Sequence, residues 1–209
     1  MFAKTALISF FLGRNQETIA ETTARGATHV ATPKVLAQAI DIVTLCVTTS
    51  EVVESLIYGD DGILAGFNEG AVVIDYGTSI PALTQKVGAD LATKSAGMID
   101  APLGCTPTHA KGARLNTMAV GEIETFETVK PVLDVQGKNF FDLGALDAGQ
   151  TTKLINNFMG MTTACTMSQV FAVVQKKRPL MANSCLILCQ RVRPILPSYS
   201  SAKTMSWME

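Results

Sequence analysis

The amino-acid sequence predicts an α/β fold, with a mostly parallel sheet followed by one long helix. Two observations predict it. Between residues 33 and 144, short apolar runs rich in β-branched residues alternate with segments that favour helices. Residues 149–175 then continue without a proline and read as a single helix. Because strands separated by helices need crossover connections, the sheet is expected to be mostly parallel.

The composition excludes several classes of protein. The chain has 209 residues, of which 47% are hydrophobic and 17% charged, so it can bury a core and is not disordered. The formal net charge of −1 offers no cationic field for phosphates, and no nucleic-acid partner is expected. No run of eighteen apolar residues occurs, so we expect no membrane-spanning helix.

The cysteines and histidines argue against a metal site. The 5 cysteines include no CxxC pair, and the chain has only 2 histidines, so we expect no zinc site. Reduced thiols in the cytoplasm are the simpler interpretation of an odd number of cysteines.

The first elements follow from local signals. The segment 33–39 begins with a proline, which suits a first helical turn, and continues with good helix formers. Residues 41–47 (DIVTLCV) predict a strand covered on both faces. Thr48 and Glu51 form a T-x-x-E capping box, which predicts a helix through Tyr58.

The next elements repeat this pattern. The segment 59–70 has the glycine, aspartate and asparagine content of turns, and 71–76 (AVVIDY) predicts a second buried strand. A helix is expected over 79–95, closed by Gly97, and a short strand over 98–102.

The segments that follow the three predicted strands are small, polar or glycine-containing. They are Val47 to Thr49, Tyr76 to Thr78 and Pro102 to Thr106. In parallel sheets ligands bind beyond the carboxyl ends of the strands, so these segments predict a ligand cleft. Helix capping is the alternative explanation for their threonines and serines.

The long helix has one distinctive face. Its apolar residues are distributed nearly all round, so we expect it to be buried on almost every side. Polar and small residues share the remaining face: Lys153, Asn157, Gly160, Ala164 and Ser168. Burial and the helix N-terminus would lower the pKa of Lys153 enough for proton exchange, with Asn157 holding an oxygen atom nearby. A lysine that reaches solvent is the alternative.

Four segments, in order, resemble the β-hydroxyacid dehydrogenase family, the group of 3-hydroxyisobutyrate dehydrogenase, tartronate semialdehyde reductase and sulfolactaldehyde reductase. The segments are DIVTLCVTTSEVV, VVIDYGTSIP, DAPLGCTPTHAKGARLNTMAVG and GALDAGQTTKLINN. The resemblance covers about residues 14–174 and implies an incomplete Rossmann-like parallel sheet. It implies an incomplete dinucleotide-binding domain over 1–144 and an interdomain helix over 145–175 that begins the all-α domain. An atypical basic tail then covers 176–209.

The resemblance also implies the site residues. The catalytic pair would be Lys153 and Asn157, and the substrate loop would be Gly104, Cys105 and Thr106. The cofactor, NADP or NAD, would contact Arg14, Asn15, Val47, Thr48, Val52 and Thr78. Arg14 has no acidic neighbour, an arrangement that favours the 2′-phosphate of NADP, although a solvent-exposed loop arginine is the alternative.

The implied activity is hydride transfer between the nicotinamide cofactor and a small hydroxy acid or semialdehyde, in a cytoplasmic enzyme. Lys153 would exchange the proton, and the all-α part would allow a homo-oligomer. The family's G-x-G-x-x-G phosphate-binding turn is not found before Gly13. The alternative is therefore a catalytically inactive fragment or binding remnant.

The two ends of the sequence differ in charge. Residues 176–209 contain 6 basic residues, 1 acidic residue and no glycine, whereas 1–175 contain 11 basic and 17 acidic residues. Such a change is typical of an out-of-frame reading or an alternative end, and a basic interaction tail is the functional alternative.

Overall fold

The computed structural model describes residues 9–104, 109–110, 112, 115–140 and 145–177. The elements in chain order are β1 (Phe10–Phe11), α1 (Gln16–Ala24), β2 (Thr28–His29), α2 (Pro33–Ala39), β3 (Ile42–Leu45), α3 (Ser50–Tyr58), α4 (Ile63–Gly66), β4 (Val72–Asp75), α5 (Pro81–Ala92), β5 (Gly97–Asp100), β6 (Leu103–Gly104), β7 (Leu115–Thr117), β8 (Val120–Gly121), α6 (Ile123–Gln136), β9 (Gly137–Phe140) and α7 (Ala148–Lys177). The predicted alternation of strands and helices is confirmed.

The strands β1 to β5, together with β8, form two sheets. β1 pairs with β2, and a larger sheet has the order β3-β4-β5-β8. β3, β4 and β5 are parallel, whereas β8 is antiparallel at the edge. A cavity of about 740 Å³ lies between β1 and β3 and is lined by residues of both strands, including Phe10 and Thr44. The predicted parallel sheet is therefore confirmed, and it is divided at this cavity.

Both faces of the larger sheet are covered. Every residue of β4 is buried, and its side chains alternate between two clusters. Val73 packs in one cluster with Val53 and Ile57 of α3. Val72 and Ile74 pack in the other, which also contains residues of α6. This two-sided burial explains why the strand has no apolar-polar alternation in the sequence.

A third sheet was not predicted. It has the order β6-β7-β9, with β6 antiparallel to β7 and β7 parallel to β9. Its strands are two to four residues long, too short for periodicity to reveal them.

Three local predictions need correction. The N-cap of α3 is Thr49, whose hydroxyl accepts from the Val52 N–H at 3.4 Å, so the cap predicted at Thr48 was wrong by one residue. The predicted turn segment contains the short helix α4. The helix α5 ends at Ala92, because the chain leaves the helical conformation before Ser95, whose φ is 54°.

The long helix is confirmed, but its predicted burial was wrong. The helix α7 runs continuously for 30 residues, yet Phe158 is 72% exposed and Met161 is 65% exposed. Periodicity identifies a helix but not what covers it. The chain divides into two compact units, residues 1–156 and 157–209. Across the described ranges, no helix has the length and apolar character needed to cross a membrane.

Candidate active site

The loops that follow β3, β4 and β5 are bonded to one another at the carboxyl edge of the sheet. The Tyr76 N–H donates to the Leu45 carbonyl at 2.8 Å, and the Leu103 N–H donates to the Tyr76 carbonyl at 3.4 Å. A Cβ at Gly77 would lie 3.1 Å from the Val47 carbonyl, so a glycine allows this close approach. The edge therefore brings Val47, Thr48, Thr78 and Gly104 into one region.

Lys153 lies at the same edge. Its Nζ donates a hydrogen bond to the Leu103 carbonyl at 2.6 Å, and the side chain is half-buried. Gly104 follows Leu103 and is itself buried against Asn116 of β7. The amine is thus held beside the first residue of the predicted substrate loop.

A buried glutamine precedes this lysine by one helical turn. Gln150 has no exposed surface. Its Oε1 accepts from the Ser79 N–H at 2.8 Å, and its Nε2 donates to the Gly77 carbonyl at 3.3 Å. Its own main-chain N–H donates to Asp100 Oδ2 at 2.8 Å. The start of α7 is therefore bonded to both the β4 loop and β5.

Two buried carboxyl groups end neighbouring strands. Asp75 and Asp100 are opposite each other in the parallel register, and neither is exposed. Asp75 accepts from the Gly77 N–H at 2.9 Å and from the Ser79 hydroxyl at 2.7 Å.

Both carboxyl groups have shifted pKa values. Burial raises the pKa of Asp75 above its ordinary value, despite these two hydrogen bonds. Burial raises the pKa of Asp100 to about 7, and the charges of Asp75 and Asp147 add to this effect. Asp100 Oδ1 has no hydrogen-bond partner among the residues that the structure describes. The site edge therefore contains a carboxyl group that titrates near neutral pH.

Four of the predicted cofactor residues, Thr48 among them, lie in or directly before the helices α1 and α3. Arg14 and Asn15 follow β1 and are exposed, and the Asn15 side chain caps α1 by accepting from the Thr18 N–H at 2.9 Å. Thr48 is exposed, and Val52 is half-buried in the first turn of α3. Asn15 thus has a structural role beside any contact with a cofactor.

Three of the predicted site residues are not among the contacts described at this edge of the sheet. Cys105 and Thr106 lie outside the described residues. Asn157 follows Lys153 by one turn of the same helix and belongs to the second unit.

Sequence reasoning missed four residues of the site, namely Asp75, Ser79, Asp100 and Gln150. A signal was present for the two acids, because each ends an otherwise apolar strand, in AVVID and MID. Within the described ranges, no cluster of three His, Cys, Asp or Glu side chains could hold a metal ion.

A parallel sheet covered on both faces, with polar loops at its carboxyl edge, defines the class of doubly wound nucleotide-binding α/β proteins. Residues 5–144 match the family described as the NAD binding domain of 6-phosphogluconate dehydrogenase. The chain belongs to this family.

Individual relatives agree with this assignment. The chain is 31% identical over 147 residues to the 3-sulfolactaldehyde reductase of Escherichia coli K12, covering 70% of this chain and 49% of the relative. It is 31% identical over 134 residues to the NAD-dependent L-serine dehydrogenase of Pseudomonas aeruginosa PAO1, covering 64% of this chain and 45% of the relative. The chain spans about half the length of the curated relatives it matches.

A solved structure shows the same fold. The 3-hydroxyisobutyrate dehydrogenase of Salmonella typhimurium superimposes with a TM-score of 0.76 at 23% identity, over 83% of this chain and 61% of that one.

Proposed function

We propose that this chain carries an oxidoreductase site of the β-hydroxyacid dehydrogenase type. The reaction is hydride transfer between NADP or NAD and a small hydroxy acid or semialdehyde. The observation that carries the proposal is the Lys153 amine, held 2.6 Å from the Leu103 carbonyl at the carboxyl edge of the parallel sheet. The similarity to hydroxyacid dehydrogenases supports it.

The residues of the edge fit such a cofactor. Gly77 allows the loops to approach closely, and the Thr48 side chain is accessible at the same edge. Bound there, the nicotinamide supplies or accepts the hydride. The residues proposed to hold it are Arg14, Asn15, Val47, Thr48, Val52 and Thr78.

Lys153 is proposed as the acid and base. It protonates the developing alkoxide during reduction and accepts the hydroxyl proton during oxidation. Asn157, one turn further along the helix, is proposed to orient the substrate oxygen. Gly104, Cys105 and Thr106 are proposed to hold the acid group of the substrate.

Lys153→Ala tests this assignment. Turnover with 3-hydroxyisobutyrate or serine and either cofactor should fall by about 10² to 10⁴, the usual contribution of general acid–base catalysis. Cofactor affinity should change little, because the amine acts on the substrate. Lys94→Ala, at an exposed turn, is the matched control and should keep wild-type turnover. Equal turnover in the two variants would contradict the proposal.

A non-catalytic binding remnant is the second candidate. The separation of β1 from β3 by a cavity favours it, because this cavity divides the sheet whose carboxyl edge would hold the cofactor. Titration of NADPH and NADH fluorescence with the 209-residue chain separates the candidates. Saturable micromolar binding with turnover supports the dehydrogenase. Binding without turnover supports a binding remnant, and the absence of binding supports a catalytically inactive fragment.

The remaining assignments concern the whole protein. We propose the three regions 1–144, 145–175 and 176–209 as its functional divisions. The free thiols of Cys46 and Cys165 favour a cytoplasmic location. The exposed apolar side chains of α7 favour a homo-oligomer.

A further inference from the structure

The Gln150 side chain joins the loop after β4, which contains the proposed cofactor residue Thr78, to the helix that carries Lys153. Gln150 bonds the Ser79 N–H with its amide oxygen, at 2.8 Å, and the Gly77 carbonyl with its amide nitrogen, at 3.3 Å. These bonds attach to the two residues that flank Thr78. A single amide therefore fixes both sides of that loop residue to α7.

The same residue also ties α7 to the sheet. The Gln150 main-chain N–H donates to Asp100 Oδ2 at 2.8 Å. A Cβ at Gly149 would lie 2.8 Å from that oxygen and 2.6 Å from the Met118 carbonyl. The first turn of α7 therefore cannot shift along the sheet edge without breaking three hydrogen bonds.

The position of the Lys153 amine depends on this turn. Residues three apart in a helix share a face, and both side chains reach loops at the carboxyl edge, Gln150 at Gly77 and Lys153 at Leu103. We propose that Gln150 is a positioning residue, which holds the Lys153 amine and the Thr78 loop in one fixed arrangement. The inference rests on the proposed function of Lys153.

The competing explanation is that Gln150 only contributes stability as a buried, hydrogen-bonded side chain. The two explanations differ in what happens to the lysine. Loss of stability alone leaves the amine of the folded protein where it was, whereas loss of positioning changes its access to reagents.

The test measures the reactivity of the Lys153 amine without requiring turnover. The wild-type chain and Gln150→Met, which has a similar length but no amide, are pulsed with acetic anhydride. Mass spectrometry then compares acetylation of Lys153 with that of the exposed Lys94. We expect the Lys153-to-Lys94 ratio to rise at least threefold in Gln150→Met, because the amine is released from the Leu103 carbonyl.

Leu133→Ala is the control for stability. Leu133 is 1% exposed in α6 and packs in the cluster with Val72 and Ile74, so its substitution destabilises the protein while every residue of α7 and of the Gly77 loop stays unchanged. Its labelling ratio should equal that of the wild type. An unchanged ratio in Gln150→Met, or an equal rise in Leu133→Ala, would overturn the inference.

Gln150→Glu adds a pH-dependent readout. When protonated, the new carboxyl can still donate to the Gly77 carbonyl, but when ionised it can only accept from Ser79. Asp100 bonds to the main-chain N–H of residue 150, and Asp75 and Asp147 act electrostatically on Asp100. This acidic neighbourhood favours the protonated form of the new carboxyl, whereas Lys153, one turn further along the helix, opposes it.

The labelling ratio of Gln150→Glu should therefore match the wild type near pH 5.5 and approach Gln150→Met near pH 8.5. A ratio that does not change with pH would contradict the positioning role. Failure of the dehydrogenase proposal would appear in the turnover of Lys153→Ala, and failure of this inference in the labelling ratio, so the two are separable.

Discussion

Asp100 shows how strongly a single residue depends on its surroundings. Its carboxyl is buried beside Asp75 and accepts a hydrogen bond from the Gln150 N–H. Burial raises its pKa to about 7. The native state therefore binds a proton more tightly than the unfolded chain between about pH 4 and pH 7. The contribution of Asp100 to the free energy of unfolding is therefore fully present below about pH 4 and is lost as the pH rises through 7.

Asp100→Asn should remove that pH dependence. The Asn side-chain oxygen can still accept from the Gln150 N–H, but the group no longer ionises. One pKa unit corresponds to about 1.4 kcal/mol. Between pH 4.5 and 8.5, the free energy of unfolding of the wild type should therefore fall by on the order of 2 kcal/mol more than that of Asp100→Asn. Denaturant unfolding across this range is the measurement. Asp134 is exposed, and the free energy of unfolding of Asp134→Asn should depend on pH as steeply as that of the wild type. An equally steep pH dependence in Asp100→Asn would contradict the pKa assignment.

Arg14 makes the cofactor preference testable at one residue. It is exposed directly after β1, where a guanidinium can meet a ribose 2′-phosphate. Arg14→Ala should raise the Kd for NADPH about tenfold or more, the effect of losing one charge-assisted hydrogen bond, and leave the Kd for NADH unchanged. Fluorescence titration measures both. The control is Arg25→Ala, which removes an exposed arginine bonded to Glu21 and should leave both Kd values unchanged. An equal loss of affinity for NADPH and NADH in Arg14→Ala would exclude recognition of the 2′-phosphate.

At the scale of an element, the start of α7 is fixed by close packing. Gly149 is buried and lies where an added Cβ would be 2.6 Å from the Met118 carbonyl. In an exposed helix, glycine is about 1 kcal/mol less favourable than alanine. Here the glycine allows the helix to approach β5 closely.

Gly149→Ala should therefore destabilise the protein, by about 1 to 3 kcal/mol, despite the better helix propensity of alanine. Thr151→Ala changes an exposed position of the same turn and should alter stability by less than about 0.5 kcal/mol. Chemical denaturation compares the two variants. A stabilised Gly149→Ala would show that the helix can move away from Asp100 without cost.

The same helix presents an exposed apolar face between residues 154 and 165. Leu154, Phe158, Met161 and Cys165 follow helical spacing, and all four are exposed. An apolar stripe of this kind marks an interaction surface. Among the residues that the structure describes, this stripe is a feature that favours self-association.

We expect the wild-type chain to have twice its monomer mass by size-exclusion chromatography with light scattering. Phe158→Ser combined with Met161→Ser should shift the mass to that of the monomer, because large apolar side chains dominate interface energies. Val173→Ser alters an exposed apolar residue on another face of the helix and should leave the mass unchanged. A monomeric wild type would disprove the homo-oligomer.

At the scale of the whole molecule, the division of the parallel sheet separates the parts of the site. The loops after β3, β4 and β5 are joined by hydrogen bonds within one sheet. Arg14 and Asn15 follow a strand of the smaller sheet, across the cavity from β3. Cofactor affinity and the arrangement around Lys153 are therefore separable properties, to be measured independently.

Local signals in the sequence predicted α2, β3, α3, β4, α5, β5 and the long helix α7. The helix α2 has the predicted bounds, because Thr32 caps it and a proline occupies its first turn. The long helix also lies where the proline-free segment placed it. Capping, turn chemistry and periodicity are properties of neighbouring residues, so the amino-acid sequence determines them by itself. The one-residue error at Thr48 arose because two adjacent threonines could serve as the cap.

The contacts that hold the site were decided by the tertiary structure alone. Ser79 and Gln150 are 71 residues apart in the chain, and Gln150 and Asp100 are 50 apart. No local pattern records such a pair, because the hydrogen bonds form only when crossovers bring the strand ends to one edge. The raised pKa of Asp100 depends in the same way on burial by distant segments. The sequence thus determined the elements and the presence of a lysine on the long helix, and the packing of the sheet decided what that lysine contacts.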